Sequence, residues 1–127
     1  MIVSKYAGDN LIATNAHALT SQTVTVESGD GKLERGALLG RKSNNKFVML
    51  SSIAKTAGAT AEVVLAADVD ATDADTVAEA YNSGDFNENA LKVANGYTIG
   101  EDDRKALKDA GIYLSNSVIT ASVLPIA

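Results

Sequence analysis

The sequence predicts one mainly β domain with a single short helix and an extended N-terminal arm. The chain has 127 residues, which fits one domain able to bury about two-thirds of its unfolded surface. Its hydrophobic fraction of 46% comes largely from alanine and valine, with four tyrosines, two phenylalanines and no tryptophan. Short apolar runs separated by turn residues favour thin β layers over one large aromatic core. Only one segment carries the full set of helix signals.

Composition also narrows the class of protein. The net charge of −5 disfavours a direct grip on phosphate backbones, so nucleic acid is not an expected partner. Cysteine is absent, which excludes disulfides, thiolate metal sites and a cysteine nucleophile. No basic segment followed by an apolar stretch opens the chain, and no apolar run reaches the roughly 18 residues of a membrane span. We therefore expect a soluble protein with no secretion signal and no membrane partner.

Residues 1–32 form the predicted arm, because Gly, Asn, Ser, Thr and Asp are frequent and the apolar residues follow no sustained period. Within it, residues 22–27 alternate polar and apolar side chains, which is typical of a strand. The glycines of 28–31 then end that strand. We expect this strand to lack a partner within the chain and to bind another protein through Thr23, Val24, Thr25, Val26 and Glu27.

The folded domain is predicted to begin at Leu33. Residues 36–41 and 47–50 are apolar runs joined by a polar segment in which Asn44 and Asn45 tolerate the positive φ of a tight turn, so a hairpin is expected. Residues 61–67 form a continuous apolar, β-branched run that predicts a central strand.

The later elements are the segment 77–81, the helix and two candidate terminal strands. Residues 77–81 suit either a strand or a helix; the following Asn82, Ser83 and Gly84 favour a strand ending in a turn, after which Phe86 and Leu91 fold back. The helix is predicted over 101–110, with three acidic residues at its N-terminus, lysines later and a closing glycine at 111. Residues 112–114 and 118–124 are candidate terminal strands.

Two groups of residues imitate chemical sites. Asp68, Asp70, Thr72 and Glu79 have the spacing of calcium-loop ligands, but Asp73 stands where the loop needs glycine, and flanking helices are missing. His17 is the only histidine and lies in the polar arm, where no rigid partner for a catalytic relay is expected. We therefore predict a solvated acidic loop, an ordinary surface or interface histidine, and no catalytic, metal or cofactor site.

Three segments in a fixed order resemble a known family. They are residues 35–41 (RGALLGR), 81–91 (YNSGDFNENAL) and 108–114 (KDAGIYL). Together they resemble the head decoration protein D family of tailed bacteriophages over about residues 33–118. The positions that carry the resemblance are Arg35, Gly36, Leu39, Gly40, Tyr81, Gly84, Phe86, Leu91, Gly111 and Ile112.

The resemblance implies a structural protein rather than an enzyme, without a cofactor. Its fold would be a compact β-clip-like (β-tulip) domain over residues 33–127 that forms a homotrimer. The trimer would bind the major capsid protein at three-fold and quasi-three-fold positions of the expanded head and stabilise the shell against DNA pressure. Residues 1–32 would be the capsid-binding arm. The protein would be made in the bacterial cytoplasm and end on the outer capsid surface of the virion.

Two other classes remain open at this point. A β-rich adhesion or surface-recognition module would use the acidic loop as its ligand contact. A metal-dependent enzyme would need that loop to hold a cation.

Overall fold

The computed structural model describes residues 11–14 and 17–115. This part of the chain contains nine strands and two α-helices, with one 3-10 turn at Glu88–Ala90. The strands are β1 (Ile12–Thr14), β2 (Thr20–Val26), β3 (Gly31–Leu33), β4 (Leu38–Arg41), β5 (Phe47–Met49), β6 (Thr60–Leu65), β7 (Val69–Ala71), β8 (Thr76–Asn87) and β9 (Ile112–Ser115). The helices are α1 (Ser52–Thr56) and α2 (Glu101–Ala110). The prediction of a mainly β fold is confirmed.

Five strands close into a small barrel. Following the hydrogen bonds, β8 pairs with β2, β2 with β5, β5 with β4, β4 with β6, and β6 returns to β8. All of these pairings are antiparallel except the single parallel bridge between Val26 of β2 and Phe47 of β5. The seam between β2 and β5 consists of this one bridge, so among the described residues 20–25 of β2 have ladder partners only on the β8 side.

The prediction that the 22–27 strand lacks a partner within the chain is wrong. The strand forms as β2, but it pairs with β8 from Thr20↔Ser83 to Val26↔Thr76. Val24 and Val26 point into the core and are 5% and 0% exposed. The alternation identified the buried face correctly. Sequence reasoning missed that β8, about fifty residues later, supplies the partner.

The long strand β8 corrects a second expectation. No turn forms at residues 82–84; the strand runs on to Asn87, and its second half leaves the barrel to pair with β1 on one side and β9 on the other. At 82–84 the ladder partners are β2, which pairs at Ser83, and β9, which pairs at Gly84, and these pairings outweigh the local turn preference of Asn, Ser and Gly. Gly84 has a φ of +141°, a backbone conformation that favours glycine, but it lies inside a strand rather than in a turn.

The hairpin, the central strand and the predicted helix are confirmed. β4 and β5 pair with Arg41 opposite Phe47, and Asn45 in their connection has a φ of +68°. Helix α2 spans 101–110 and ends at Gly111, which has a φ of +108°. The short helix α1 was not predicted; its N-cap is Ser51, whose Oγ accepts a hydrogen bond from Ala54 N at 3.0 Å. The 118–124 strand prediction lies outside the described residues.

The buried side chains form two main clusters. One fills the barrel and includes Val24, Val26, Leu39, Val63 and Leu65. The other lies between the barrel, α2 and the β1–β8–β9 extension, and its buried members are Leu11, Leu38, Leu50, Ala61, Val64, Tyr81, Phe86, Leu107 and Ile112. The second cluster therefore anchors α2, β1 and β9 to the barrel, whereas Leu33 of β3 and Ala71 of β7 pack in the first cluster.

Candidate interaction surface

The first two segments of the sequence motif meet at Arg35 and Tyr81. The Arg35 guanidinium donates to the Tyr81 hydroxyl at 2.6 Å and to the Ala66 carbonyl at 3.0 Å. Its Cζ lies 5.4 Å from the centre of the Tyr81 ring, a cation–π geometry. The Arg35 backbone N–H donates to Asp68 at 2.8 Å. Arg35 thus ties the entry of β4 to β8 and to the loop after β6.

Most other motif residues pack in the core. Phe86 and Ile112 are fully buried in the second cluster, Leu91 packs against it, and the Tyr81 and Phe86 rings lie 5.6 Å apart. Leu39 lies in the barrel cluster instead. These side chains hold the fold together, and their burial leaves little of them available to another molecule.

The motif glycines lie where chains approach closely. Gly84 N donates to Gly111 O at 3.1 Å, which joins β8 to the end of α2. A Cβ at Gly84 would lie 2.8 Å from Leu19 Cδ1. At Gly40 it would meet Ala59 Cβ at 3.2 Å, and Gly36 N bonds Leu65 O at 2.9 Å. A side chain at Gly84 or Gly40 would push neighbouring strands apart.

The alternation of β2 places the residues predicted to bind another protein on two different faces, one buried and one outward. Val24 and Val26 are buried within the subunit, so they are not available for a partner. Thr23 is exposed and Thr25 half-buried on the outer face. Glu27 binds Lys42 Nζ at 2.7 Å and Asn44 Nδ2 at 3.1 Å, and these two hydrogen bonds lower the pKa of its carboxyl.

A polar contact that sequence reasoning missed holds His17 on the β8–β9 extension. Asp85 accepts from His17 N at 2.7 Å, and its other oxygen lies 2.7 Å from His17 Nδ1. The imidazole stacks on Tyr113 with ring centroids 3.9 Å apart. Burial opposes ionisation of Asp85, but the His17 hydrogen bonds outweigh it and hold the pKa of Asp85 below its ordinary value. His17 and Asp85 are 68 positions apart, so no local signal pointed to the pair.

The acidic side chains of the loop over residues 68–75 contact separate partners. Asp68 accepts from Arg35 N at 2.8 Å, Asp70 from Thr72 Oγ1 at 2.6 Å, and Asp75 from Ser28 N at 2.8 Å. Within residues 11–14 and 17–115, no three carboxylate or imidazole groups lie close enough to hold a metal ion. The carboxylates are used to fix loops, as in Asx turns.

A second missed network joins the two helices through Asp103. This carboxylate is fully buried and accepts from Lys55 Nζ at 2.5 Å, from Gly100 N at 3.0 Å and from the Tyr97 hydroxyl. Burial and the bond to Asp103 raise the pKa of Tyr97 to about 12. Burial alone would lower the pKa of Lys55, but its hydrogen bonds to Asp102 and Asp103 raise it, so the ammonium stays charged.

The exposed large apolar side chains of the described residues are Ile53, Val77 and Leu19. Ile53 on α1 is 82% exposed and Val77 on β8 is 66% exposed, while Leu19 is 38% exposed. None of the helices in the described part of the chain is long and apolar enough to cross a bilayer. Isolated apolar side chains are ordinary on a protein surface, but Ile53 and Val77 are also the described positions where added burial would gain most.

Comparison with known proteins identifies the family of the chain. No curated protein matches the chain. The family model of bacteriophage lambda head decoration protein D matches residues 2–112, which include every motif position from Arg35 to Ile112. Because this match covers most of the sequence, the chain belongs to the bacteriophage lambda head decoration protein D family.

Proposed function

We propose that this capsid decoration protein binds the outer surface of the expanded phage head as a homotrimer at three-fold and quasi-three-fold positions. It would bind the major capsid protein and stabilise the shell against DNA pressure. The observation that carries the proposal is the family match over residues 2–112. Synthesis in the bacterial cytoplasm would precede its attachment to the virion. The proposed function requires no catalytic step.

The strand pairing limits how the subunit can contact others. Strand β2 bonds β8 along its length but meets β5 only at Val26, so among the described residues its edge at 20–25 has no ladder partner. Contacts between molecules can use that edge, segments outside the barrel or exposed side chains. Ile53 and Val77 are the large apolar side chains that the described surface offers most fully.

Capsid contact is proposed for the arm over residues 1–32, through the segment before Leu11 and the outer face of β2, since Val24 and Val26 are buried. Leu11 is 1% exposed and belongs to the second core cluster, so the segment before it is joined directly to the core. Ordering a five-residue stretch costs roughly 5–10 kcal/mol, while its backbone hydrogen bonds return about 5 kcal/mol. Backbone bonds alone therefore leave a single segment neutral to unfavourable, so burial of its apolar side chains must supply the net gain; three such segments on one trimer then bind at high effective concentration and give firm attachment.

Stabilisation of the shell requires selectivity for one shell state. A ligand shifts an equilibrium only by its difference in affinity between the two states. A trimer that bound precursor and expanded shells equally would stabilise neither relative to the other. The proposal therefore includes preference for the expanded shell.

The test uses purified full-length protein with empty precursor and empty expanded shells. We expect a trimer by light scattering at micromolar concentration, co-sedimentation with expanded shells only, and a shell melting temperature that rises with occupancy. A variant lacking residues 2–9 should keep its fold but co-sediment less. A stable monomer, or equal binding to both shells, would contradict the proposal. Binding to cell surfaces in place of shells would support the adhesion alternative.

A further inference from the structure

We propose that Asn95–Gly96 is a site of spontaneous deamidation through a succinimide, and that conversion to isoaspartate weakens the packing of the 91–100 segment on α2. The reaction needs no enzyme and no cofactor, and water is its only co-reactant. It goes beyond the capsid-binding function and does not depend on it.

Asn95 and Gly96 occupy the exposed centre of a β-turn. Tyr97 N donates to Ala94 O at 3.0 Å, and Gly96 has a φ of +84°, which identifies a turn with glycine at its third position. Within the described residues, no hydrogen bond holds the Asn95 side chain or the Gly96 N–H. A Cβ at Gly96 would meet nothing within 4 Å. The peptide between the two residues therefore has room to rotate.

The chemistry follows from this freedom. The Gly96 backbone nitrogen attacks Asn95 Cγ and forms a new C–N bond; the side-chain amide nitrogen takes up the proton that Gly96 N loses and leaves as ammonia. Water then opens the cyclic imide at one of its two carbonyls, which yields aspartate or isoaspartate. Without a side chain on the attacking residue, nothing hinders the approach of its nitrogen.

Other asparagines lack this combination. Asn95 is the only asparagine followed by glycine in the sequence. Asn82 lies within β8 and donates to Gln22 Oε1 at 3.3 Å, while Asn44 Nδ2 donates to Glu27. Asn87 Oδ1 accepts from Asn89 N at 3.1 Å and caps the 3-10 turn. Their amides are held in place, and each precedes a residue whose side chain crowds the attack.

The turn transmits the change to the buried network. Ala94 N donates to Leu50 O at 3.2 Å, and the Tyr97 hydroxyl donates to Asp103, which is fully buried. Isoaspartate inserts one extra carbon into the main chain between these two anchors and adds a negative charge. Both anchors cannot keep their geometry across a lengthened turn. A buried carboxylate that loses a donor is costly, so the converted chain should be less stable.

The experiment incubates purified full-length protein in mildly alkaline buffer and follows peptides by mass spectrometry, with isoaspartyl methyltransferase labelling to identify isoaspartate. Asn95→Gln is the test variant, because its longer side chain forms the cyclic imide far more slowly. Asn89→Gln is the matched control, since Asn89 is also exposed but precedes alanine. Thermal unfolding is recorded before and after incubation.

We expect wild type and Asn89→Gln to gain isoaspartate at position 95 and to lose roughly 5 °C of Tm at full conversion. Asn95→Gln should keep both its mass and its Tm. If Asn95 were deamidated no faster than Asn89, the proposal would be overturned. Isoaspartate found only at Asp30–Gly31 would also overturn it, because the Asp30 carboxylate already accepts a hydrogen bond from Met49 N at 2.8 Å and is expected to react more slowly. Full conversion with an unchanged Tm would overturn the coupling to the buried network.

Discussion

Val26→Ala should lower the stability of the subunit itself. Val26 is fully buried in the barrel cluster, and its strand pairs with β8 on one side and β5 on the other. Removing two methyl groups costs about 1.6 kcal/mol in transfer free energy. The cavity left in a closed barrel cannot collapse easily, which brings the expected loss to about 2–3 kcal/mol.

Urea denaturation measures this loss, with Thr23→Ala as the matched control. Thr23 lies on the same strand but points outward and is exposed. The control should change the free energy of unfolding by less than about 0.5 kcal/mol. Both variants should keep the wild-type dependence on urea concentration, because the surface exposed on unfolding is unchanged.

A truncation extends the same test. Deleting residues 1–30 removes β2, opens the barrel at β8 and uncovers the barrel cluster, so the remaining chain should not fold. Deleting residues 2–9 leaves Leu11 and every described strand in place and should fold normally. If Val26→Ala unfolded at the wild-type urea concentration, or the 1–30 deletion gave a folded subunit, β2 would not be part of the barrel.

Three further changes test particular contacts. Tyr97→Phe should reduce the loss of stability between about pH 10 and pH 12. The pKa of Tyr97 in the folded protein is raised to about 12, so the unfolded chain loses the proton first as pH rises and unfolding becomes easier. Urea titrations at several alkaline pH values measure this effect. His17→Ala should weaken the dependence of stability on pH in acid. The lowered pKa of Asp85 stabilises the folded protein at pH values above the ordinary pKa of 3.8, and this stability is lost as pH falls through the pKa of the folded state. Acid titration followed by circular dichroism would show the same curve for both proteins if the contact were absent. Gly84→Ala should cost about 1–3 kcal/mol because its φ is +141° and its Cβ would lie 3.2 Å from the Phe86 ring; a thermal melt within a degree of wild type would contradict this.

Local signals in the sequence were sufficient for several elements. Acidic residues at the N-terminus of 101–110 and glycine at 111 determine where α2 begins and ends, because helix ends depend on groups within one turn. Asn45 adopts the positive φ that its connection requires. Alternation in 22–27 identified the buried face. The family motif then led to the right class of protein, although its residues lie mostly in the core.

Pairing between distant segments was decided only by the tertiary structure. The alternation of β2 shows which face is buried but contains no information about which strand covers it. The same limit hides the His17–Asp85 contact and the Lys55–Asp103 contact, whose partners are 68 and 48 positions apart. At 82–84 the local turn preference was overruled, because β2 pairs with β8 at Ser83 and β9 pairs with it at Gly84. Periodicity and capping are properties of neighbouring residues, so the sequence alone determines them. Barrel closure depends on the summed free energy of contacts between remote segments, which only the folded chain brings together.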